Sequence, residues 1–230
     1  MHVVVTGASR GIGLEFVRQY LARGDTVVAA CREPARAGEL AALCAAAGPR
    51  ARVLACDVAS DASVAAFAAA LGDAPVDLLV NNAGVGGGWK PLDALATDVA
   101  LDTYNVNALG PVRVTLALLP HLARSAAPRV AHVSSGMGSI ADNTSGGAYA
   151  YRMSKAALNM ASRNLAIDLR PRNVVSVVIN PGWVATDMGG ANAPTPVRDS
   201  VAAMVARFDA LTLADSGKFL DWKRAEGFPW

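Results

Sequence analysis

VVVTGASRGIGLEF, residues 3–16, is the stretch on which the reading of the whole chain turns. Three valines and a threonine make a short apolar β-run with no polar face, the composition of a strand covered on both sides. Gly7, Gly11 and Gly13 follow in a G-x-x-x-G-x-G spacing, and a helical segment runs from about Gly11 to Arg23. Strand, glycine turn and helix in that order form the context a phosphate-binding loop requires. Glycine permits the tight turn, and amides at the helix start approach a pyrophosphate with no side chain in the way. Gly7, Ser9, Arg10, Gly11, Ile12 and Gly13 are therefore candidates for holding a dinucleotide.

Outward from this unit the pattern repeats. Apolar β-runs are predicted at 25–31, 51–57, 76–82, 129–135, 174–180 and 217–221. Between them lie an Ala-rich helix stopped by Gly48-Pro49 and a helix capped by Ser60 or Asp61 and ended at Gly72. A long helical region spans about 97–124, a helix carries Tyr151, and another lies near 196–210. Alternation of this length predicts parallel βαβ units with right-handed crossovers. The expected fold class is α/β, a doubly wound parallel sheet of about seven strands with helices on both faces. No linker or composition shift divides the chain, so one domain over 1–230 is expected.

Composition narrows the function. Of 230 residues 53% are hydrophobic, enough for a sizeable core, and 17% are charged with a net charge of +2 and no basic run. A nucleic-acid partner or an acidic membrane surface is not expected. Cys31, Cys44 and Cys56 lack CxxC spacing and suit buried thiols in a reducing compartment, and the three histidines lack metal-ligand spacing. The start MHVVVTG carries no basic segment ahead of a long apolar one, and no apolar stretch approaches eighteen residues, so a cytoplasmic location is expected.

The second β-run reports on the cofactor. A site for NAD generally ends that strand with a carboxylate for the ribose 2′-hydroxyl. Here the position falls at Cys31, followed by Arg32, while Arg10 offers a second guanidinium from the glycine loop. Two guanidiniums suit a 2′-phosphate through charge-assisted bonds, which predicts NADPH/NADP+, with Glu33 read as pointing outward past the strand end. Asp57 and Val58, at the end of the third run, are expected to flank the adenine.

In GGAYAYRMSK, residues 146–155, Tyr151 and Lys155 stand four apart and share a helix face, whereas Tyr149 has Met153 at that offset. Reducing a carbonyl develops an alkoxide that needs a positioned acid. A nearby ammonium favours phenolate, so Lys155 is expected to lower the pKa of Tyr151. Tyr149 is expected at the pocket mouth or in packing.

TGASRGIG (6–13), NNAG (81–84), YNVNALG (104–110), HVSS (132–135), YRMSK (151–155) and PGWVATDM (181–188) together resemble the short-chain dehydrogenase/reductase family along nearly the whole chain. YRMSKAALN and the tail SGKFLDWKRAEGFPW look most like the C-factor and sniffer-type carbonyl reductases. The resemblance implies a Rossmann-type fold and an NADP-dependent oxidoreductase acting on a small-molecule aldehyde or ketone. It implies Tyr151 as proton donor, Ser135 holding the substrate oxygen, and Lys155 gripping the nicotinamide ribose. Asn107 is implied to bind a water linking Lys155 to solvent. Ser134 is the alternative to Ser135, turned away if strand alternation faces Ser135 inward. Asn81, Ala83 and Gly84 are implied beside the cofactor, Pro181, Gly182 and Val184 at the nicotinamide, and Thr186 at its carboxamide or the phosphates. A homodimer through the 97–124 and 148–170 helices is also implied. The C-factor likeness keeps a second function open, a nucleotide-binding signalling protein with little required turnover.

Overall fold

The computed structural model describes residues 1–230. Seven strands form one sheet: β1 (His2–Thr6), β2 (Thr26–Cys31), β3 (Ala51–Ala55), β4 (Leu78–Asn81), β5 (Arg129–Val133), β6 (Val175–Asn180) and β7 (Phe219–Asp221). Their order is β3-β2-β1-β4-β5-β6-β7, and every neighbouring pair is parallel. The order reverses between β1 and β4, which opens a crevice at the strand carboxyl ends where α/β sheets bind ligands.

Helices α1 (Gly11–Ala22), α2 (Gly38–Ala47) and α8 (Val197–Asp209) cover one face. There Phe16, Tyr20, Leu40, Val201 and Phe208 bury themselves with Val3 and Val5 of β1. Val4, one residue out of phase, joins the other core with Val64, Phe67, Leu118 and Leu122. That face is covered by α3 (Asp61–Leu71) and the segments between Thr97 and Leu122. Period-two alternation thus feeds two cores from one apolar strand. Ser60 caps α3 by accepting a hydrogen bond from Ser63 N at 3.3 Å. None of the helices is long and apolar enough to cross a membrane.

The expected continuous helix over 97–124 is broken into α4 (Thr97–Tyr104), a π turn (Asn105–Leu109), α5 (Gly110–Ala117) and the short α6 (Leu119–Leu122). Prolines explain both breaks. Pro111 has no N–H to give the carbonyl of Asn107, and Pro120 has none for Leu116. In the widened turn Gly110 N donates to Asn105 O, and Arg113 braces it through Asn105 Oδ1 at 2.6 Å and Val58 O at 3.2 Å. The tyrosine helix, α7 (Tyr149–Asp168), starts abruptly after Gly146, Gly147 and Ala148, all at positive φ.

Candidate active site

A cleft runs across the carboxyl ends of the central strands. The glycine loop after β1 forms its floor, with Gly7 at φ 64° and Gly11 at φ 55° in the left-handed region. A Cβ on Gly7 would lie 2.7 Å from Ala83 Cα, and one on Gly13 would collide with the Gly7 carbonyl. Asn82 ties the loop to the end of β4: its Nδ2 donates to Thr6 O at 3.0 Å and Gly7 O at 3.2 Å. Thr6 Oγ1 answers by accepting from Asn82 N and Ala83 N at 3.0 and 3.1 Å.

The cleft gathers Ser9, Arg10, Ile12, Arg32, Asp57, Val58, Ala83, Gly84, Tyr151, Lys155, Pro181 and Thr186, all expected at a nucleotide site. Glu33 is exposed and accepts from Arg36 at 2.9 Å, which leaves Arg10 and Arg32 as the cations of the cleft's outer end. An amide-lined glycine turn, a helix start and two guanidiniums fit a dinucleotide that carries an additional phosphate. Asn81 does not reach this cleft. It is buried on the other side of β4, donating to Thr115 Oγ1 at 3.1 Å and facing His132 Nδ1 at 3.3 Å. Its neighbour Asn82 lines the cleft in its stead, and Val85, Val106 and Asp187, which sequence reasoning did not single out, line it too.

A second chamber of about 620 Å³ opens beside the first and shares Ile12, Ser134, Tyr151, Pro181, Thr186 and Met188 with it. Gly182 and Val184 line this chamber and not the nucleotide cleft. Trp89, Met137 and Trp183 supply its apolar walls, and none of its lining residues carries a formal charge. Trp89 sits against Tyr151 with ring centroids 4.9 Å apart, at the end of a glycine-rich arm. Tyr149 lines neither space.

Tyr151 stands at the junction of the two spaces. Burial holds its pKa above the ordinary tyrosine range, and a hydrogen bond with Ser135 pulls it back only in part. Lys155 does not lower it as expected. Its Nζ lies 5.7 Å from the centre of the tyrosine ring and donates to Val133 O at 2.8 Å. Burial pushes the ammonium itself down to about 8. Ser135 lines the second chamber, while the Ser134 hydroxyl donates to Asn159 Oδ1 at 2.6 Å and so faces α7.

Asn107 is fully buried in the π turn. Its Oδ1 accepts from Val85 N at 2.8 Å, and its Nδ2 donates to Val85 O at 2.8 Å and Ser154 Oγ at 2.9 Å. Both amide hydrogens are spent on protein partners, so the side chain clamps the loop after β4.

Residues 1–196 match the family model for short chain dehydrogenases. The chain belongs to the short-chain dehydrogenase/reductase family. Within it, the chain is 55% identical over 166 residues to a protein of Myxococcus xanthus called C-signal, covering 72% of this chain and 99% of that one. A carbonyl reductase from chicken fatty liver, solved with NADPH bound, superposes with a TM-score of 0.92 at 36% identity over 100% of this chain and 98% of that one. The carbonyl reductase Sniffer of D. melanogaster superposes with a TM-score of 0.94 at 31% identity over 100% and 99%. The seven-stranded dinucleotide fold and the likeness to the C-factor and sniffer-type reductases expected from the sequence are both present.

Proposed function

We propose that this short-chain dehydrogenase is an NADP(H)-dependent reductase of aldehydes and ketones, with Tyr151 as the proton donor. The observation that carries the reading is the place of Tyr151, where the cleft over the glycine loop meets an uncharged chamber. When bound, the reduced nicotinamide supplies the hydride for the carbonyl carbon. The chain's own residues do the rest. The phenol of Tyr151, kept protonated at neutral pH by burial, gives its proton to the developing alkoxide. Ser135 hydrogen-bonds the same oxygen and fixes it within reach. Lys155, held beneath the ring by its bond to Val133 O, is placed to take ribose hydroxyls. Asn107 is a positioning residue that holds the loop carrying Gly84 and Val85. Arg10 and Arg32 take the 2′-phosphate, and the amides from Ser9 to Gly13 take the pyrophosphate.

The chamber without charged lining suits neutral carbonyl compounds, since a carboxylate would be desolvated there with no partner. Only 16 residues, 181–196, connect β6 to α8, with a bridge between Val184 and Thr195, so no helical lid covers it. Weak discrimination among reactive carbonyls follows. Leu101, Leu116, Met153, Met160 and Ile167 are exposed on α4, α5 and α7, and the reading includes self-association through that surface. Sedimentation showing only a 23.6 kDa monomer at micromolar concentration overturns that part.

The test is NADPH absorbance loss over a carbonyl panel with wild type, Tyr151→Phe and Tyr149→Phe. Wild type turns over, Tyr151→Phe loses at least about a hundredfold while binding cofactor, and Tyr149→Phe stays within a few-fold. Wild-type turnover by Tyr151→Phe sinks the mechanism. The C-signal likeness favours one other reading, a nucleotide-binding signalling protein. It gains if wild type binds NADPH tightly yet reduces nothing on the panel.

A further inference from the structure

The two cations given to the 2′-phosphate differ in state before it arrives. Arg32 stands exposed at the end of β2. Arg10 is already engaged: its Nη1 lies 3.4 Å from Oδ2 of Asp187, across the cleft that both residues line. The pair joins the glycine loop to the segment after β6. Asp187 is held in place by a compact turn, in which Gly189 N donates to Thr186 Oγ1 at 3.2 Å and Gly190 N to Thr186 O at 2.9 Å. Thr186 also meets the glycine loop, leaving 3.3 Å between its Cγ2 and a Cβ built on Gly11.

We propose that Asp187 tunes cofactor choice by competing with the 2′-phosphate for Arg10. This rests on the NADP(H) reading above. The N–H that Arg10 Nη1 turns to Asp187 cannot also serve a phosphate, and the phosphate, with more charge and more acceptor oxygens, draws the guanidinium away. Binding of the phosphorylated cofactor therefore breaks the pair, whereas the unphosphorylated one leaves it intact. The Asp187 charge also repels the pyrophosphate, but both cofactors share that penalty and it cancels in their affinity ratio. An ion pair this exposed, with side chains 76% and 78% accessible, is weak. The competition therefore costs the phosphorylated cofactor about twofold to fivefold in affinity, the range of surface pairs.

Calorimetric titration with NADP+ and NAD+, neither needing a substrate, reads the ratio directly. Asp187→Asn is expected to raise the NADP+ to NAD+ affinity ratio about twofold to fivefold, and Asp187→Ser, which also removes the charge, to do the same. In an Arg10→Ala background the Asp187 substitution is expected to leave the ratio unchanged, the signature of a coupled pair. Equal gains for both cofactors, or a ratio change that survives without Arg10, overturn the proposal. Wild type that binds NAD+ as tightly as NADP+ overturns the cofactor reading itself, and the proposal with it. Thermal melts of each variant confirm that the titrated protein is folded.

Discussion

Lys155 Nζ hydrogen-bonds the Val133 carbonyl at 2.8 Å while lying 5.7 Å from the centre of the Tyr151 ring. The ammonium is thus tethered to the end of β5, almost wholly buried, and faces the tyrosine without touching its hydroxyl. Burial lowers its pKa from the ordinary 10.5 to about 8. Below about pH 8 both folded and unfolded chains carry this proton, and the folded one bears the cost of desolvating it. From about 8 to 10.5 the unfolded chain binds more protons, so this group adds stability as pH rises. Lys155→Met is accordingly expected to stabilise the cofactor-free protein at pH 7. The shift corresponds to about 3 kcal/mol, and losing the Val133 hydrogen bond returns about 1 kcal/mol, for a net gain of about 2 kcal/mol. Urea unfolding at pH 7 and pH 10 checks it, with the gain shrinking at the higher pH and turnover lost throughout.

His132 works in the opposite pH range. It is fully buried between Asn81 Nδ2 at 3.3 Å and Ser176 Oγ at 3.4 Å. Burial first, and the Lys155 charge second, lower its pKa to about 3. With Nδ1 accepting from Asn81, the ring proton sits on Nε2 toward Ser176, and a second proton would face the Asn81 amide donor. The unfolded chain takes up a proton below about 6.5 that the folded chain refuses, so stability falls as pH drops from about 6.5 toward 3. His132→Gln cannot titrate. Between pH 6.5 and 5 it is expected to escape a loss of about 2 kcal/mol that wild type suffers, whatever its stability at pH 7. Equal slopes for the two proteins in that window would remove the histidine from acid unfolding.

The adjacent serines separate stability from chemistry. Ser134 Oγ is buried and donates to Asn159 Oδ1 at 2.6 Å, and Asn159 Nδ2 in turn holds Gly138 O at 3.1 Å. Ser134→Ala leaves a buried carbonyl oxygen unpaired and is expected to cost about 1–3 kcal/mol of stability while folded molecules keep their turnover. Ser135→Ala removes a half-buried hydroxyl beside Tyr151 that also accepts from Met137 N at 3.1 Å, and is expected to cost at least about tenfold in kcat/KM along with about 1 kcal/mol of stability from the lost cap. The reverse pattern would exchange their assignments.

These cases show where local pattern suffices and where it stops. All seven strands were legible because apolar runs bounded by turn residues carry their own signal, and a parallel sheet then sends their carboxyl ends to one crevice. The breaks at Pro111 and Pro120 were missed, although each ring deletes a known helix donor, because apolar spacing continues on either side of them. Asn81 and Asn82 could not be told apart, because β4 is buried on both faces and alternation has no polar side to anchor it. Helix spacing put Lys155 one turn from Tyr151, but whether Nζ meets the phenol oxygen or the Val133 carbonyl depends on how α7 packs on β5. Trp89 lies in a loop that reaches the site only through the tertiary fold, and Asp187, although inside PGWVATDM, carries no spacing that foretells its reach to Arg10.

Asn107 offers a test of positioning as distinct from chemistry. Its amide satisfies both backbone groups of Val85, partly buried, and the buried hydroxyl of Ser154, three partners on two separate elements. Ser154 Oγ in turn donates to the backbone carbonyl of Tyr151 at 2.8 Å, so the network runs from the loop after β4 to the turn of α7 that bears the tyrosine. Asn107→Ala strands these groups together, and the expected loss is about 2–4 kcal/mol of stability, several unmade hydrogen bonds partly relieved by relaxation. Asn107→Asp is the sharper variant. It keeps the acceptor for Val85 N but sets a carboxylate oxygen against Val85 O, two acceptors face to face in a buried site. If Asn107 acts through the loop, Asn107→Asp raises cofactor Kd and KM along with lowering kcat, because Gly84 and Val85 line the cleft. Were its part confined to proton delivery, kcat alone would fall and Kd, measured by calorimetry on the same preparation, would stay at the wild-type value.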